Sequence, residues 1–485
     1  MTSWRLSALV AGLGTIDPAR DPLITAVTDD SRRARPGALF VAIRGTHGDG
    51  RSYVPEAVSR GAAAIVADAG VGGLGDVPLV RVPSARLALA AIAARFHGHP
   101  ARALQVIGFT GTFGKTATSA VLSALLEEAG HPTAVIGSLG AAFRGHHVPS
   151  GGLTTPAPAE LHALFRDLAD RGACTVVMEV TSHALLLERV AGVVLGHGIM
   201  GAIVPGEHTD FHRTYGEYVA AKGRLLPHVD SGGVLAYDRD NAAARRFADA
   251  WDPPRRAGLA VGARAEEGPL DVTLRRPGID ADGAVFTIRG RDLRSALLGR
   301  HNVRNVGMAI TMASAIGVEL DAIARVLPEL RALRRRMELF DVAGRRVLDD
   351  TAGHPESLSA AFEVAALVPH ARLHVAYVLR GSRGALVNAQ NATALADLAL
   401  LHDAASITVS AAADGARPED RASEAEIDAA RRSLSTRGVE FSWDDTLEGA
   451  IQTVAAASRA DDLVLLLGAQ GMDKGAALLR AALGA

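Results

Sequence analysis

The stretch LQVIGFTGTFGKTATS, from Leu104 to Ser119, decides how the chain is organised. An apolar, β-prone run leads into a glycine-rich turn, and a helical pattern follows over 117–129. A strand–loop–helix unit of this kind binds phosphate, because glycines let backbone N–H groups approach the anion and the helix N-terminus adds a positive dipole. We therefore predict a nucleotide-binding loop here, with an ordinary strand-to-helix turn as the alternative.

Two side chains of this loop carry the predicted chemistry. Lys115 can reach the β- and γ-phosphates of ATP, and the hydroxyl of Thr116 can bind Mg²⁺. Phe109 stands where the strict nucleotide-loop pattern has its first glycine. The residues predicted to bind ATP in the loop are Gly111, Thr112, Gly114, Lys115 and Thr116.

Length and composition limit the possible classes of protein. A chain of 485 residues exceeds one ordinary core, so two to three domains are expected. With 48% hydrophobic and 21% charged residues the chain is globular. The formal net charge is −2 and no basic stripe dominates the sequence, so nucleic acid is not an expected partner.

Cysteine usage and apolar runs bear on where the protein works. The single cysteine, Cys174, excludes an intrachain disulfide framework and a Cys-rich zinc site, and its position before an apolar strand predicts a buried small residue. No apolar run approaches the roughly 20 residues of a membrane helix. The N-terminus has no signal-peptide pattern. We expect a soluble, cytoplasmic protein without membrane insertion.

The order of predicted elements indicates an α/β protein with three domains, at 1–103, 104–330 and 331–485. Short strands and helices alternate in the first, and the second has the phosphate loop and a parallel sheet, to which the buried strand from Thr175 to Val180 belongs. The alternating pattern from Asp271 to Arg294 predicts antiparallel strands, and a helix is expected from Asn302 to Ile316. The third domain has the strand–helix order of a Rossmann-like fold.

Three further positions in the central domain attract attention. Glu179 ends a buried strand, where a Mg²⁺ ligand belongs, although a capping carboxylate is the alternative. The segment GEHTDFH, from Gly206 to His212, could bind zinc by composition, but its spacing fits no standard zinc site, and a solvated turn is the alternative. Lys222 lies on an amphipathic helix and, by itself, would be interpreted as a surface lysine.

Considered in order, these motifs resemble those of the Mur ligases, the ATP-dependent amino-acid-adding enzymes of peptidoglycan synthesis, and most closely the MurE type. The resemblance covers nearly the whole chain. The matching segments are Gly111 to Thr116, Met178 to Val190, Glu207 to His212, Tyr218 to Lys222, Gly299 to Asn305, Arg335 to Glu338 and Asp349 to Leu358.

The resemblance implies a ligase that uses ATP and Mg²⁺ and forms an acyl phosphate on a UDP-N-acetylmuramoyl-peptide, acting as a monomer on small molecules. Lys115, Lys222 and His208 would be catalytic. Thr116, Glu179, His208 and a carbamylated Lys222 would bind the metals. The first domain would hold the UDP end of the acceptor.

The resemblance also assigns binding residues outside the loop. The nucleotide would be held by Asn305, Arg336 and Asp350. The residues implied for substrate binding are Ser31, Thr154, Thr155, Ser182 and Arg189 for the muramoyl-peptide, and Arg383, Asp414 and Arg417 for the amino acid.

Several positions depart from the family pattern. Phe113 replaces an asparagine in the loop, Ala202-Ile203 replaces a Thr-Asn pair, and Glu207 replaces an aspartate. These changes bear on rate more than on ATP binding. In the third domain, the motif DNPR of enzymes that use meso-diaminopimelate keeps only its first and last residues, as Asp414 and Arg417. A pocket without those polar groups should not prefer diaminopimelate.

Rival interpretations stay open. One is a MurF-type ligase, or a paralogue that serves a specialised metabolite. Asp30-Ser31-Arg32 and Arg189 favour a UDP-muramoyl acceptor over a folate-type one. The other is a non-catalytic nucleotide-binding derivative. Against it argue the intact residues Lys115, Thr116, Glu179, His208 and Lys222.

Overall fold

A computed structural model describes residues 3–17, 19–45, 48–68, 70–72, 75–205, 211–252, 255–262, 268–416 and 420–485. These form two compact units. The first comprises Met1–Ala260, Arg264–Thr273 and Gly307–Ile323, and the second comprises Val261–Ala263, Leu274–Val306 and Ala324–Ala485. The predicted α/β class is confirmed by the parallel sheets. The predicted domain boundaries stay predictions.

The first unit opens with a small α/β layer whose strands β3 to β6 are parallel and adjacent in that order. Leu39 and Val41 face one apolar cluster while Phe40 faces another, so the sheet is covered on both sides. The elements are β1 (Trp4–Arg5), α1 (Leu6–Val10), β2 (Leu23–Ile24), β3 (Ala26–Thr28), β4 (Ala38–Ala42), α2 (Val54–Ser59), β5 (Ala64–Ala67), β6 (Leu79–Arg81) and α3 (Ala85–Phe96).

The same unit continues with a larger sheet, in which β8, β11, β7, β12, β13 and β14 are parallel neighbours and β9 and β10 are antiparallel at one edge. Its elements are β7 (Gln105–Thr110), α4 (Lys115–Glu128), β8 (Thr133–Gly137), β9 (Gly140–Phe143), β10 (His146–Val148), α5 (Pro158–Asp170), β11 (Thr175–Glu179), α6 (Ser182–Leu186), β12 (His197–Met200), α7 (Tyr215–Gly223), β13 (Leu235–Asp238), α8 (Ala242–Asp249) and β14 (Arg256–Val261).

All five residues of β11 are buried, as its near-continuous apolar sequence predicts. The expectation that Cys174 is buried is wrong, because this residue is exposed. Helix α5 has already ended and β11 begins only at Thr175, so Cys174 lies in the connecting turn at the rim of the sheet.

The strand order gathers three loops at one edge. β7 lies between β11 and β12, with Phe109 paired to Glu179 and Thr110 paired to Met200. Because the three strands are parallel, the segments that follow them all begin at the carboxyl edge of the sheet, where open α/β sheets bind ligands.

The second unit contains an antiparallel meander of β15, β16 and β17, as the alternating pattern predicts, and a six-stranded sheet ordered β18-β19-β23-β20-β21-β22. Only β18 runs antiparallel to its neighbour in that sheet. The elements, of which α9 and α10 extend into the first unit, are β15 (Val272–Asp280), β16 (Gly283–Ile288), β17 (Arg291–Ser295), α9 (Arg300–Ala315), α10 (Leu320–Val326), β18 (Glu338–Val342), β19 (Arg345–Asp350), α11 (Pro355–Leu367), β20 (Leu373–Val378), α12 (Ala385–Leu401), β21 (Ser406–Ser410), α13 (Glu424–Thr436), β22 (Ser442–Asp444), α14 (Leu447–Ala457), β23 (Leu463–Leu467) and α15 (Gly475–Ala482). Across the part of the chain that the structure describes, no helix is long and apolar enough to cross a membrane.

Candidate functional site

The phosphate loop connects β7 to α4 at the carboxyl edge of the central sheet. Gly114 precedes the helix with φ of +80°, a left-handed conformation that glycine adopts without strain. Lys115 is partly buried, and its Nζ donates hydrogen bonds to the carbonyl oxygens of Gly111 (3.0 Å) and Thr112 (3.1 Å). The side chain therefore lies over the loop, beside the helix N-terminus that would face a phosphate.

Lys222 does not lie on the surface, as its helix pattern alone suggests. Its side chain is 1% exposed, and its Nζ donates to the carbonyl oxygen of Gly111 at 2.7 Å. Helix α7 thus brings a second lysine to the same oxygen that Lys115 contacts. Two predicted catalytic residues are brought together at one point of the loop.

Thr112 connects the loop to the segment that follows β12. Its N–H donates to the carbonyl oxygen of Ala202 at 2.8 Å, and its Oγ1 accepts from the N–H of Val204 at 3.0 Å. The hydroxyl of Tyr218 donates to the same Oγ1 at 3.1 Å. Sequence reasoning did not single out Tyr218, although its place in the Tyr218 to Lys222 motif was a usable signal.

Glu179 is buried at the end of β11, at 1% exposure. Its Oε1 accepts from the N–H of Ser138 at 3.0 Å, and its Oε2 accepts from the Ser138 hydroxyl at 3.3 Å. That hydroxyl also contacts Thr154 Oγ1 at 3.0 Å. Ser138 was missed by sequence reasoning, because no local pattern marks the residue after β8 as a partner of β11.

The residues around Glu179 suit a Mg²⁺ ion, because carboxylate and hydroxyl oxygens are the hard ligands this ion prefers. Within the described ranges, no group of three or more His, Cys, Asp or Glu side chains could hold a metal. That does not conflict with Mg²⁺, which keeps several waters and is bound by only one or two protein carboxylates plus substrate phosphates. His208, a predicted metal ligand and catalytic residue, lies outside the described residues.

Two of the residues predicted to bind muramoyl-peptide, Thr155 and Arg189, contact each other, and a third, Thr154, contacts Ser138. The Thr155 hydroxyl donates to the carbonyl oxygen of Glu179 (2.9 Å) and accepts from the N–H of Thr181 (3.1 Å). Arg189, half-buried, donates to the carbonyl oxygen of Thr155 at 3.1 Å. Burial lowers the pKa of Arg189, and the positive charge of Arg86 adds to that shift.

The other two predicted peptide-binding residues are engaged with protein partners. Ser182 is fully buried, and its Oγ lies 2.9 Å from Nε2 of His212. Ser31 is also buried, and its hydroxyl donates to Oε2 of Glu56 at 2.7 Å. These contacts fix the two side chains in place within the first unit.

Two of the predicted nucleotide-holding residues of the second unit meet at the start of its six-stranded sheet. The guanidinium of Arg336 donates to the hydroxyl of Thr351, and Oδ2 of Asp350 accepts from the N–H of Met337 at 2.8 Å. Burial raises the pKa of Asp350 to about 6. Asn305, on α9, donates from Nδ2 to Oδ1 of Asn302 at 2.8 Å.

Arg335, which sequence reasoning passed over in favour of its neighbour, is the buried member of the arginine run. It pairs with Asp349 at 3.0 Å and with Asp473 at 2.6 Å, and it donates to the carbonyl oxygen of Ala469 at 2.9 Å. Its backbone φ is +58°, in the left-handed region. The signal in the sequence, three consecutive arginines, could not say which one is buried.

Two of the residues predicted to bind the amino acid, Asp414 and Arg383, make hydrogen bonds to different parts of the second unit. The carboxylate of Asp414 accepts from the N–H groups of Leu447 (2.6 Å) and Glu448 (3.3 Å), so it caps α14. Arg383 is exposed, and its N–H donates to the carboxylate of Glu426 at 2.9 Å. Arg417 lies outside the described residues.

Gly137 gives a direct test of the Glu179 position. A Cβ at Gly137 would lie 2.0 Å from Oε1 of Glu179, so Gly137→Ala must displace the carboxylate. We expect this variant to lose stabilisation by Mg²⁺ with nucleotide, measured as a shift in melting temperature. Gly216→Ala is the matched control, because its Cβ meets nothing closer than 3.8 Å. An unchanged Mg²⁺ shift in Gly137→Ala would exclude Glu179 from the metal site.

Comparison with known sequences matches three segments to Mur ligase domains. Residues 23–97 match the Mur ligase family catalytic domain, 109–313 the Mur ligase middle domain, and 335–470 the Mur ligase glutamate ligase domain. In structure, MurF ligase from Thermotoga maritima in complex with ADP is similar with a TM-score of 0.65 at 17% identity, over 95% of this chain and 98% of that chain. This similarity concerns the fold.

Two relatives carry the comparison over nearly the full length. UDP-N-acetylmuramyl-tripeptide synthetase from Roseiflexus sp. (strain RS-1) is 35% identical over 93% of this chain and 90% of its own. UDP-N-acetylmuramoyl-L-alanyl-D-glutamate--2,6-diaminopimelate ligase from Pseudomonas aeruginosa is 33% identical over the same shares. Identity at this level, sustained from the first layer to the last sheet, shows that the chain belongs to the Mur ligase family.

Proposed function

We propose that the protein is an ATP-dependent ligase that joins an amino acid to the peptide carboxylate of a UDP-N-acetylmuramoyl-peptide. The observation that carries the proposal is the carbonyl oxygen of Gly111, which accepts from both Lys115 and Lys222 inside a phosphate loop. A non-catalytic nucleotide-binding derivative would not need a second, fully buried lysine there. The names of the two relatives supply the acceptor and the class of reaction.

The reaction would proceed in two steps. The acceptor carboxylate attacks the γ-phosphorus of ATP, ADP leaves, and an acyl phosphate forms. The amino group of the amino acid then attacks the acyl carbon, and the tetrahedral intermediate expels phosphate. Lys115 would offset charge on the transferring group, since such catalysis is mainly positioning and electrostatic stabilisation.

Mg²⁺ would neutralise phosphate charge when bound, held by Thr116, Glu179, His208 and a carbamylated Lys222. Burial and a neighbouring cation both favour the neutral amine of a lysine over its ammonium form. A neutral amine at Lys222 can attack CO₂, and the carbamate nitrogen retains one hydrogen for Gly111. The modification would thus convert a second cation at that oxygen into an anionic metal ligand.

The proposed reaction also leads to expectations about oligomeric state, cellular location and partners. We expect a monomer in the cytoplasm that acts on small molecules in peptidoglycan synthesis, and so serves cell shape and division. A net charge of −2 argues against nucleic acid as a partner.

Lys115→Ala is expected to lower the rate of phosphate release by about 100-fold or more, because it removes charge stabilisation of the transition state. The assay supplies ATP, Mg²⁺, UDP-MurNAc-dipeptide and a panel of amino acids. Lys474→Ala is the matched control, since Lys474 is an exposed lysine before α15 and should be silent. Near-normal turnover by a folded Lys115→Ala protein would overturn the phosphate-loop assignment.

Lys222 is expected to be carbamylated, and the composition makes this measurable. The chain has three lysines, Lys115, Lys222 and Lys474, among 51 basic residues. With ¹³CO₂, NMR should give a carbamate signal that Lys222→Arg removes. Lys222→Ala should lose most activity, and millimolar acetate or formate should restore part of it. A carbamate-free wild type together with a fully active Lys222→Ala variant would contradict the assignment.

The amino acid is expected to be other than meso-diaminopimelate. The Asp414 carboxylate is engaged at α14. Met472 and Asp473 stand in the segment that the resemblance aligns with the GKGHE motif of the family, and there Asp473 is paired with Arg335 while Met472 is 1% exposed. Each polar end of a substrate left unpaired would cost roughly 1–3 kcal/mol, so two such losses shift preference by orders of magnitude.

Competition assays with diaminopimelate, lysine, ornithine and small neutral amino acids decide this point. We expect a simpler or differently charged side chain to win, and Arg383→Ala or Arg417→Ala to raise KM for it. The Pseudomonas aeruginosa relative is named as a diaminopimelate ligase, so a preference for that substrate is the sharp alternative. A preference for diaminopimelate would contradict the argument that this pocket lacks the polar groups needed to bind that substrate.

A further inference from the structure

We propose that Tyr218 is a positioning residue for the phosphate loop, setting Thr112 and Lys222 at the same time. The side chain is 2% exposed on α7, one turn before Lys222. Its hydroxyl donates to Oγ1 of Thr112 at 3.1 Å, and Nζ of Lys222 lies 4.6 Å from its ring centroid. This inference rests on the proposed function, because it requires the loop to bind a reacting phosphate.

The hydroxyl of Tyr218 controls which way Thr112 points. Oγ1 of Thr112 accepts two hydrogen bonds, one from Tyr218 and one from the N–H of Val204 at 3.0 Å. A threonine hydroxyl has two lone pairs and one proton, so two accepted bonds fix the direction of the remaining O–H. Without the Tyr218 hydroxyl the Thr112 hydroxyl could rotate, and the loop would lose one of its hydrogen bonds to α7, while the bond from Lys222 to Gly111 would remain.

The ring of Tyr218 acts on Lys222. In unmodified Lys222 the ammonium group lies over the tyrosine ring, and the negative face of the π-system attracts a cation, more so when it is desolvated. This contact and the bond to Gly111 act on one Nζ from two directions. Misplacement of a reacting group by about 1 Å can cost on the order of 100-fold in rate, so such bracing has a kinetic consequence.

The ring of Tyr218 also packs against His212. The imidazole of His212 lies 5.2 Å from its ring, centroid to centroid, and Nε2 of His212 contacts Oγ of the buried Ser182 at 2.9 Å. The start of α6 therefore supports His212, His212 supports Tyr218, and Tyr218 supports the loop. The buried Tyr218 ring thus has His212 and Lys222 as neighbours.

The test is Tyr218→Phe, which removes the hydroxyl and keeps the ring. We expect kcat to fall at least tenfold with KM for the amino acid unchanged and the melting temperature within a few degrees of wild type. Tyr215→Phe is the matched control on the same helix, because the Tyr215 hydroxyl donates to the carbonyl oxygen of Ile203 rather than to the loop. Its kcat should stay within threefold of wild type.

A double-mutant cycle with Thr112→Val shows whether Tyr218 acts through Thr112. The double variant should be no slower than Thr112→Val alone. Additive effects, or a Tyr218→Phe kcat within twofold of wild type, would overturn the inference. If Lys115→Ala is inactive while Tyr218→Phe is normal, only this inference fails, whereas an active Lys115→Ala would remove the proposed function itself.

Discussion

The carbonyl oxygen of Gly111 is the point on which the candidate site depends. It follows the central strand β7 and accepts from Lys115, at the start of α4, and from Lys222, near the end of α7. Two helices far apart in sequence are thereby fixed to one atom of the phosphate loop. Parallel pairing of β7 with β11 and β12 brings Glu179 and the Ala202 segment to the same edge, so the site exists because of the strand order.

The choice of lysine at this oxygen has a chemical reason. Arginine dominates the basic residues of the chain, which has three lysines among 51. An arginine could not lose its charge, whereas a lysine amine can become neutral when buried and can then react. Two of the three lysines contact Gly111. A sequence that uses arginine for most of its cations thus has lysine where the proposed reaction needs a compact charge and a modifiable amine.

Local sequence patterns correctly predicted the features that depend on neighbouring residues alone. The apolar run and glycine turn before Lys115 predicted the strand, loop and helix, and the near-continuous apolar sequence of β11 predicted its burial. Patterns failed where a distant segment decides the environment. Lys222 is buried by a contact with a residue 111 positions away, which helix periodicity cannot reveal. Cys174 is exposed because a turn, rather than the strand, contains it.

The family resemblance assigned roles to residues that periodicity alone could not single out, but it did not predict their contacts within the protein. Its assignment of Asp414 as a substrate ligand stays a prediction, and the structure adds that the Asp414 carboxylate accepts a hydrogen bond at the N-terminus of α14, 33 residues further on. The resemblance directed attention to Arg336, while Arg335 makes the buried ion pairs. Motif position identifies a segment, whereas the contacts of each side chain show which member of that segment is buried within the protein.

The claim that the acceptor carboxylate attacks the γ-phosphate at this loop is tested most directly by oxygen transfer. UDP-MurNAc-peptide labelled with ¹⁸O in its peptide carboxylate is turned over with ATP and the preferred amino acid, and the phosphate released is analysed by mass spectrometry. An acyl phosphate requires one ¹⁸O in phosphate for each amide formed, with ADP as the other product. Unlabelled phosphate, or ¹⁸O found in AMP, would contradict the account.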